Sequence, residues 1–256
     1  MKIKFGPAGL GPVKEAEERL EEYSKLGFKA CEIAFTYGPY IKNKEDAERI
    51  GKKASDLGIS LSIHGQYWIN LNSEDKEKIE KSKERLMQCL KVGTWLGAKK
   101  VVFHPGFYGK MSREETYDNI RDNLLDLEKR RKGKKYTTLL APETMGKVNV
   151  FGSVEEISQL VTDTQCSYCI DFAHILAREK SVDYDKVKKL FPGREWHIHF
   201  SGIIYGEKGE KKHKKTETEE WKTLLKNLPN DKEIIIVNES PSMVNDSVEG
   251  LKIASK

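Results

Sequence analysis

Lys99-Lys-Val-Val-Phe-His-Pro-Gly106 decides how this chain is read. Val101, Val102, Phe103 and the stem of Lys100 form a short apolar run of the kind that is buried on both faces of a sheet. The run closes on His104, and Pro105-Gly106 then stops the strand and turns the chain. Five other runs end in the same manner. Ser60-Leu-Ser-Ile-His64 ends on His64, Leu139-Leu-Ala-Pro-Glu143 on Glu143, and Cys169-Ile-Asp171 on Asp171, with His174 just beyond. Trp196-His-Ile-His199 ends on His199, and Ile234-Ile-Ile-Val-Asn-Glu239 on Glu239. Six hydrophobic runs thus each close on a residue type that ligates metals.

Between these runs lie segments of helical period. Capping boxes open two of them, Ser112 with Glu115 and Ser153 with Glu156. Gly27, Gly58 and Gly97 close three others. The count is eight strands, each followed by a helix, from Lys2–Gly6 to Glu233–Glu239. That alternation predicts an α/β fold, a closed (β/α)8 TIM barrel made by one domain over residues 1–256. A doubly wound open sheet is the alternative, but it would not put ligand residues at the ends of six different strands. In a barrel all the strand C-termini converge on one rim, so the six polar ends would meet in one pocket. Residues two apart on a strand share a face, which sets Val102, Ala141, Cys169 and Val237 beneath His104, Glu143, Asp171 and Glu239. The interior below the site is therefore expected to be small and apolar. His197 shares a face with His199 and is read as a core or supporting residue. The segment Gly206 to Lys215 is read as a charged loop.

The composition is that of a globular chain with a charged surface: 38% of its 256 residues are hydrophobic and 33% charged. No run approaches a membrane span. The N-terminus enters a strand at once, without the apolar core of a signal peptide, so a cytoplasmic location is expected. Cys31, Cys89, Cys166 and Cys169 sit in apolar segments and read as free buried thiols. The net charge of +5 permits a polyanionic partner without requiring one. Lys208, Lys211 and Lys212, with Lys214 and Lys215, fall on the same rim as the polar strand ends and could contact phosphates. The basic run Lys129 to Lys135 precedes a strand, at the opposite end of the barrel, and reads as solvated surface.

Four of the six histidines stand at or just past strand ends. With Glu143, Asp171 and Glu239 they make a mixed imidazole and carboxylate set, which suits zinc or manganese better than calcium or magnesium. The donors outnumber the needs of one ion and imply two or three. Divalent ions spaced by a bridging carboxylate are a common device for phosphoester hydrolysis, stabilising both the attacking and the leaving oxygen. Asp171 has a second reading as a helix N-cap. His213, in a lysine-rich segment, is read evenly as ligand or solvated side chain.

At these residues the chain resembles the endonuclease IV family of apurinic/apyrimidinic endonucleases, a branch of the xylose-isomerase-like barrels. The motifs are His64-Gly-Gln-Tyr-Trp-Ile-Asn-Leu71, Phe103-His-Pro-Gly106, Glu143, Cys169-Ile-Asp-Phe-Ala-His174, His199 and Asn238-Glu239. They follow the family's order over nearly the whole chain. The resemblance implies a trinuclear zinc site. His64 and His104 would hold one ion, Asp171, His199 and Glu239 a second, and Glu143 would bridge the two as the residue on which catalysis turns. His174 and His213 would hold the third. The family has an aspartate two residues before its last histidine. Here that position is Lys211, and the nearest acid is Glu210, three residues before His213: either Glu210 substitutes after a local loop shift, or the third ion is weakly held or absent. The activity implied is hydrolysis of the phosphodiester 5′ to an abasic site in double-stranded DNA, leaving a 3′-hydroxyl and a 5′-deoxyribose phosphate. The resemblance also implies a monomer, and a duplex-probing wedge at Tyr67 and Trp68. One competitor is a single-metal sugar isomerase or epimerase of the same superfamily, which would use Glu143, Asp171, His199 and Glu239 and have little use for His64 and His104. A non-catalytic DNA-binding module is the other.

Overall fold

In the computed structural model residues 2–255 are described; Met1 and Lys256, the ends of the expected 1–256 domain, lie outside the described residues. The strands are β1 (Lys2–Pro7), β2 (Ala30–Ala34), β3 (Ser60–His64), β4 (Lys100–Phe103), β5 (Gly106–Phe107), β6 (Leu139–Pro142), β7 (Val150–Phe151), β8 (Ile170–Asp171), β9 (Glu195–Phe200), β10 (Gly202–Gly206), β11 (Gly209–Lys214) and β12 (Glu233–Asn238). The helices are α1 (Ala16–Lys25), α2 (Lys44–Asp56), α3 (Lys76–Leu96), α4 (Arg113–Gly133), α5 (Val154–Thr164), α6 (Phe172–Glu179), α7 (Tyr184–Leu190), α8 (Thr218–Asn227) and α9 (Met243–Ala254).

Eight parallel strands make the barrel. Ladders join β2, β3, β4 and β6 in one run and β8, β9, β12 and β1 in the other. The two runs meet twice. Between β6 and β8, Cys169 N donates to Pro142 O at 3.1 Å and Thr144 N to Cys169 O at 3.1 Å. Between β1 and β2, Lys29 N donates to Phe5 O at 3.0 Å. The second seam needs a residue without a side chain, because a Cβ on Gly6 would stand 1.7 Å from Ala30 O. The core divides as a barrel requires. Val101 and Phe103 face outward into the main cluster beneath the helices, while Val102, Ala141 and Cys169 form a small separate cluster inside. All four cysteines are free and buried, as expected.

Both expected capping boxes are present, at Ser112–Glu115 and Ser153–Glu156. Two readings of the sequence change and a third is extended. The supposed loop Gly206 to Lys215 is most of the antiparallel β10–β11 hairpin. The N-cap reading of Asp171 holds, and it opens a helix, α6, that the strand-and-helix count did not include: Asp171 ends β8 and caps the helix through Oδ1, which accepts from His174 N at 2.7 Å. The interior is not uniformly apolar either. Beside Val102, Ala141 and Cys169, the buried Glu32 on β2 accepts from Ser62 Oγ at 2.8 Å and meets His197 Nε2 at 3.3 Å. The small apolar layer expected beneath the ligands holds at Val102, Ala141 and Cys169, and the exception at His197 extends to a charged network on strands β2, β3 and β9.

Candidate metal centre

The C-terminal rim of the barrel surrounds a cavity of about 590 Å³. His64, His104, His174, His213, Glu210 and Glu239 line it. Glu143, wholly buried, lies behind His64 and His104. Its Oε2 is shared by His64 Nε2 at 3.3 Å and His104 Nε2 at 3.2 Å. Its Oε1 stands 2.9 Å from His199 Nδ1, which is also 3.4 Å from Glu239 Oε1. One carboxylate therefore faces two sets of donors with its two oxygens.

Three groups of potential ligands, the donor atoms of each within 4.8 Å of one another, take in all the expected residues: His64, His104 and Glu143; Glu143, Asp171, His199 and Glu239; and His174, Glu210 and His213; two further groups, His64, His199 and Glu239 and Cys169, His197 and His199, overlap them. Every one of the eight residues singled out from the strand ends and the resemblance is brought here, and Glu210 joins them. It does so through a bulge. Ile204 pairs with Lys212 but Tyr205 pairs with Glu210, leaving Lys211 as the extra residue. The bulge turns Lys211 outward and rotates Glu210 onto the face of His213. Glu210 Oε2 then reaches 3.5 Å from His174 Nε2. The hairpin is docked by Glu210 N donating to Gly146 O at 3.0 Å. Gly209, at φ +94°, permits this approach, since its Cβ would stand 2.1 Å from Gly146 O.

The imidazoles are aimed by contacts on their far sides. His64 Nδ1 faces Gly65 O at 2.8 Å and His174 Nδ1 faces Thr144 O at 3.0 Å, so each presents Nε2 to the cavity. His213 Nδ1 meets Ser201 Oγ at 2.6 Å, again leaving Nε2 inward. A protein-backbone acceptor on one ring nitrogen fixes the tautomer and frees the other nitrogen as a ligand.

The electrostatics fit a cation. Asp171 Oδ2 is buried and has no hydrogen-bond partner. Burial pushes the Asp171 carboxyl up to about 8. Burial opposes charge on His64 and His174, but Glu143 outweighs it at His64 and Asp171 at His174, and both rise to about 9. His104 moves down, because burial there exceeds the pull of Glu143. Glu32 is held ionised against its burial by His199 and His197. The carboxylates thus favour protons on the imidazoles beside them, and a divalent ion would displace those protons. Ion uptake near neutral pH is expected to release protons, and apparent affinity should climb as pH rises towards about 9, where His64 and His174 lose theirs. Calorimetric titration in two buffers of different ionisation enthalpy checks this; heats that do not depend on the buffer would contradict it.

The rim carries exposed aromatics. Tyr67, half exposed, lies with its ring 5.9 Å from both His64 and His104. Trp68 sits between Tyr37, 5.9 Å away, and the guanidinium of Arg85 on α3, at 6.0 Å. It therefore both packs on the following helix and stays 44% exposed. Tyr37, 87% exposed, was not singled out from the sequence, where only its place in a Gly/Pro loop marked it. Lys208, Lys211 and Lys212 are exposed on the hairpin. Glu32 was missed as well. Its charge inside Ala30-Cys-Glu-Ile-Ala34 was the available signal.

Comparison with known proteins bears on the family and the fold. An uncharacterised protein of Methanocaldococcus jannaschii is 35% identical over 95% of this chain and 94% of its own. A probable endonuclease 4 of Thermoplasma volcanium is 30% identical, but the match spans about half of each chain, 53% of this one and 47% of the other. Among solved structures, SacUVDE superposes with a TM-score of 0.76 at 16% identity, covering 100% of this chain and 98% of that one. Endonuclease IV from Thermus thermophilus gives 0.72 at 20% identity, over 98% and 97%. A D-psicose 3-epimerase gives 0.70 at 17%, over 99% and 98%. At these identities the structures speak for the fold alone. The family description "Xylose isomerase-like TIM barrel" matches residues 20–248, and with the closed parallel barrel it places this chain in that family.

Proposed function

We propose that this protein is a metal-dependent endonuclease that hydrolyses the phosphodiester 5′ to abasic sites in double-stranded DNA, leaving a 3′-hydroxyl and a 5′-deoxyribose phosphate. The observation that carries the reading is the sharing of Glu143. A single-ion isomerase needs only the set Glu143, Asp171, His199 and Glu239. Here the other oxygen of Glu143 is engaged by His64 and His104, and a third set stands beside it at His174, Glu210 and His213. The relative named as a probable endonuclease 4 supports the same direction.

The donor chemistry fits two or three zinc ions, with manganese as a substitute, held by these three sets. Such ions would supply charge for the phosphate oxygens and activate the attacking water. The chain's own residues do the rest. Glu143, fixed by three imidazoles, sets the spacing of the first two sets. Glu210 and His213, carried on the hairpin, close the third. Tyr67 lies over His64 and His104, where it would pack against the extruded sugar. Trp68 and Tyr37 offer a paired aromatic edge to fill the gap left by a missing base. Extruding an abasic nucleotide costs less than flipping an intact one, because nothing pairs with it. Lys208, Lys211 and Lys212 would meet backbone phosphates. We read the protein as a cytoplasmic monomer with no membrane partner; among the described residues no helix is long and apolar enough to cross a membrane.

The test is an end-labelled duplex with one tetrahydrofuran abasic analogue, which cannot undergo β-elimination. A single cut immediately 5′ to the analogue is expected. An uncut duplex with folded, metal-loaded protein would sink the proposal, and about one ion per chain would then bring the isomerase forward. Two variants test the DNA surface. Tyr67→Ala should weaken binding to abasic duplex by about 1–3 kcal/mol while leaving intact duplex little affected, the scale of one base or sugar stack. Replacing Lys208, Lys211 and Lys212 together by alanine should reduce the slope of log affinity against log salt by about 2.7, or roughly 0.9 for each phosphate no longer neutralised. Binding isotherms over a salt series read both.

A further inference from the structure

We propose that Glu32 is a positioning residue for the metal centre: it holds the Nε2 edge of His199 inside the barrel, so that Nδ1 is the nitrogen presented to the ion. The inference rests on the metal-centre reading above. His199 is completely buried, and its ring is clamped from two sides. Nδ1 faces Glu143 Oε1 at 2.9 Å and Glu239 Oε1 at 3.4 Å. Nε2 stands 3.0 Å from Glu32 Oε1 as an ion-pair contact, and neither buried atom has a hydrogen-bond partner that would compete for it. Flipping the ring would aim Nε2 at the cluster and break its pairing with Glu32.

Glu32 is itself fixed. Its second oxygen accepts from Ser62 Oγ at 2.8 Å and meets His197 Nε2 at 3.3 Å. The relay therefore crosses three strands, from Ser62 on β3 and His197 on β9 to Glu32 on β2, and from Glu32 back to His199 on β9. A buried carboxylate is costly in a barrel interior, and a buried ion pair is often matched or bettered by apolar residues of the same volume. Stability alone gives no reason to place one here. Orientation does, because a carboxylate on the far nitrogen of a ligating histidine fixes its tautomer and raises its basicity. The three other cavity histidines whose outer nitrogen is engaged use a backbone carbonyl (His64, His174) or a hydroxyl (His213). His199, in the four-residue set that shares Glu143, is backed by a carboxylate that belongs to none of the donor sets.

The experiment compares wild type with Glu32→Gln, which keeps the shape and removes the charge, and with Ser62→Ala, which loosens Glu32 without touching it. Metal content is measured by mass spectrometry across a chelator series, alongside the long-range nitrogen–proton NMR pattern of the histidines. Glu32→Gln should weaken one ion per chain by about 10- to 100-fold and leave the rest unmoved, and Ser62→Ala should weaken the same ion less. The His199 ring signals should change in Glu32→Gln while those of His64 and His174 hold. Ions held with wild-type affinity in folded Glu32→Gln would overturn the proposal, as would equal weakening of all of them. Wild-type protein that takes up no divalent ion would overturn it together with the metal centre. Wild-type protein that loads ions but leaves abasic DNA uncut would count against the endonuclease alone and leave this comparison valid.

Discussion

Glu143→Gln should cut abasic duplex at about a thousandth of the wild-type rate or less, a loss of about 4 kcal/mol in transition-state stabilisation. The size of the effect follows from the position. Glu143 joins the set of His64 and His104 to the set of Asp171, His199 and Glu239, with Oε2 towards His64 and His104 and Oε1 towards His199. An amide keeps the volume but carries no charge and offers only one acceptor oxygen. Its NH2 would face at least one imidazole nitrogen that now faces an oxygen. The two sets would lose their common ligand and with it the spacing that lets two cations act on one phosphate. The fold should survive, because Glu143 is held by histidine rings at the rim and not by the apolar cluster beneath the helices. Single-turnover cleavage with metal analysis of the same sample is the measurement. Cleavage within tenfold of wild type at full metal content would show that the shared carboxylate is not the hinge of the site. Glu239→Gln, which leaves the set of His64, His104 and Glu143 whole, should cost less than Glu143→Gln.

Much of this site could be read from the chain because barrel physics ties two signals together. A doubly buried strand needs a continuous apolar run, and the run must stop where the rim begins. The first polar residue after it is then a rim residue, which is why His104, Glu143 and Asp171 stood out. The same logic fails for Glu32. It interrupts Ala30-Cys-Glu-Ile-Ala34 in the middle, and a lone charge inside a strand pattern usually marks an exposed face; only the paired histidines on β9 make it a buried one. Helix α6 was legible only through the N-cap reading of Asp171 and was left out of the helix count, because Asp171 both ends β8 and caps the helix and no linker announces it. The β10–β11 hairpin was missed for a different reason. Gly206 to Lys215 has no apolar alternation, and its pairing is set by docking onto Gly146 and α6, not by its own pattern. Its bulge at Lys211 leaves no trace in sequence. Yet that bulge decides whether Glu210 or Lys211 faces His213.

Removing the bound metal should lower the melting temperature by about 10 °C and abolish cleavage, both reversibly. A ligand that binds only the folded state adds about 4 kcal/mol when present at a thousand times its dissociation constant. For a chain of this length each kcal/mol moves the midpoint by about 2–4 °C. The metal-free pocket gives a reason to expect the full effect. Asp171 Oδ2 is buried without a hydrogen-bond partner, and Glu143, Asp171 and Glu239 converge on the same space. Protons on His64, His174 and Asp171 offset part of that charge, but they must be drawn from solvent at near-neutral pH. A divalent ion offsets it without that requirement. The loss on chelation should accordingly be larger at higher pH, where those groups deprotonate and the carboxylates face one another uncompensated. In Glu143→Gln the chelator should matter less, since two donor sets are already broken and one negative charge is gone. Thermal melts of wild type and variant, with and without chelator and after zinc is restored, measure each of these steps. A wild-type midpoint that ignores both chelator and zinc would mean that the three donor sets do not hold ions, and the histidines at the strand ends would need another explanation.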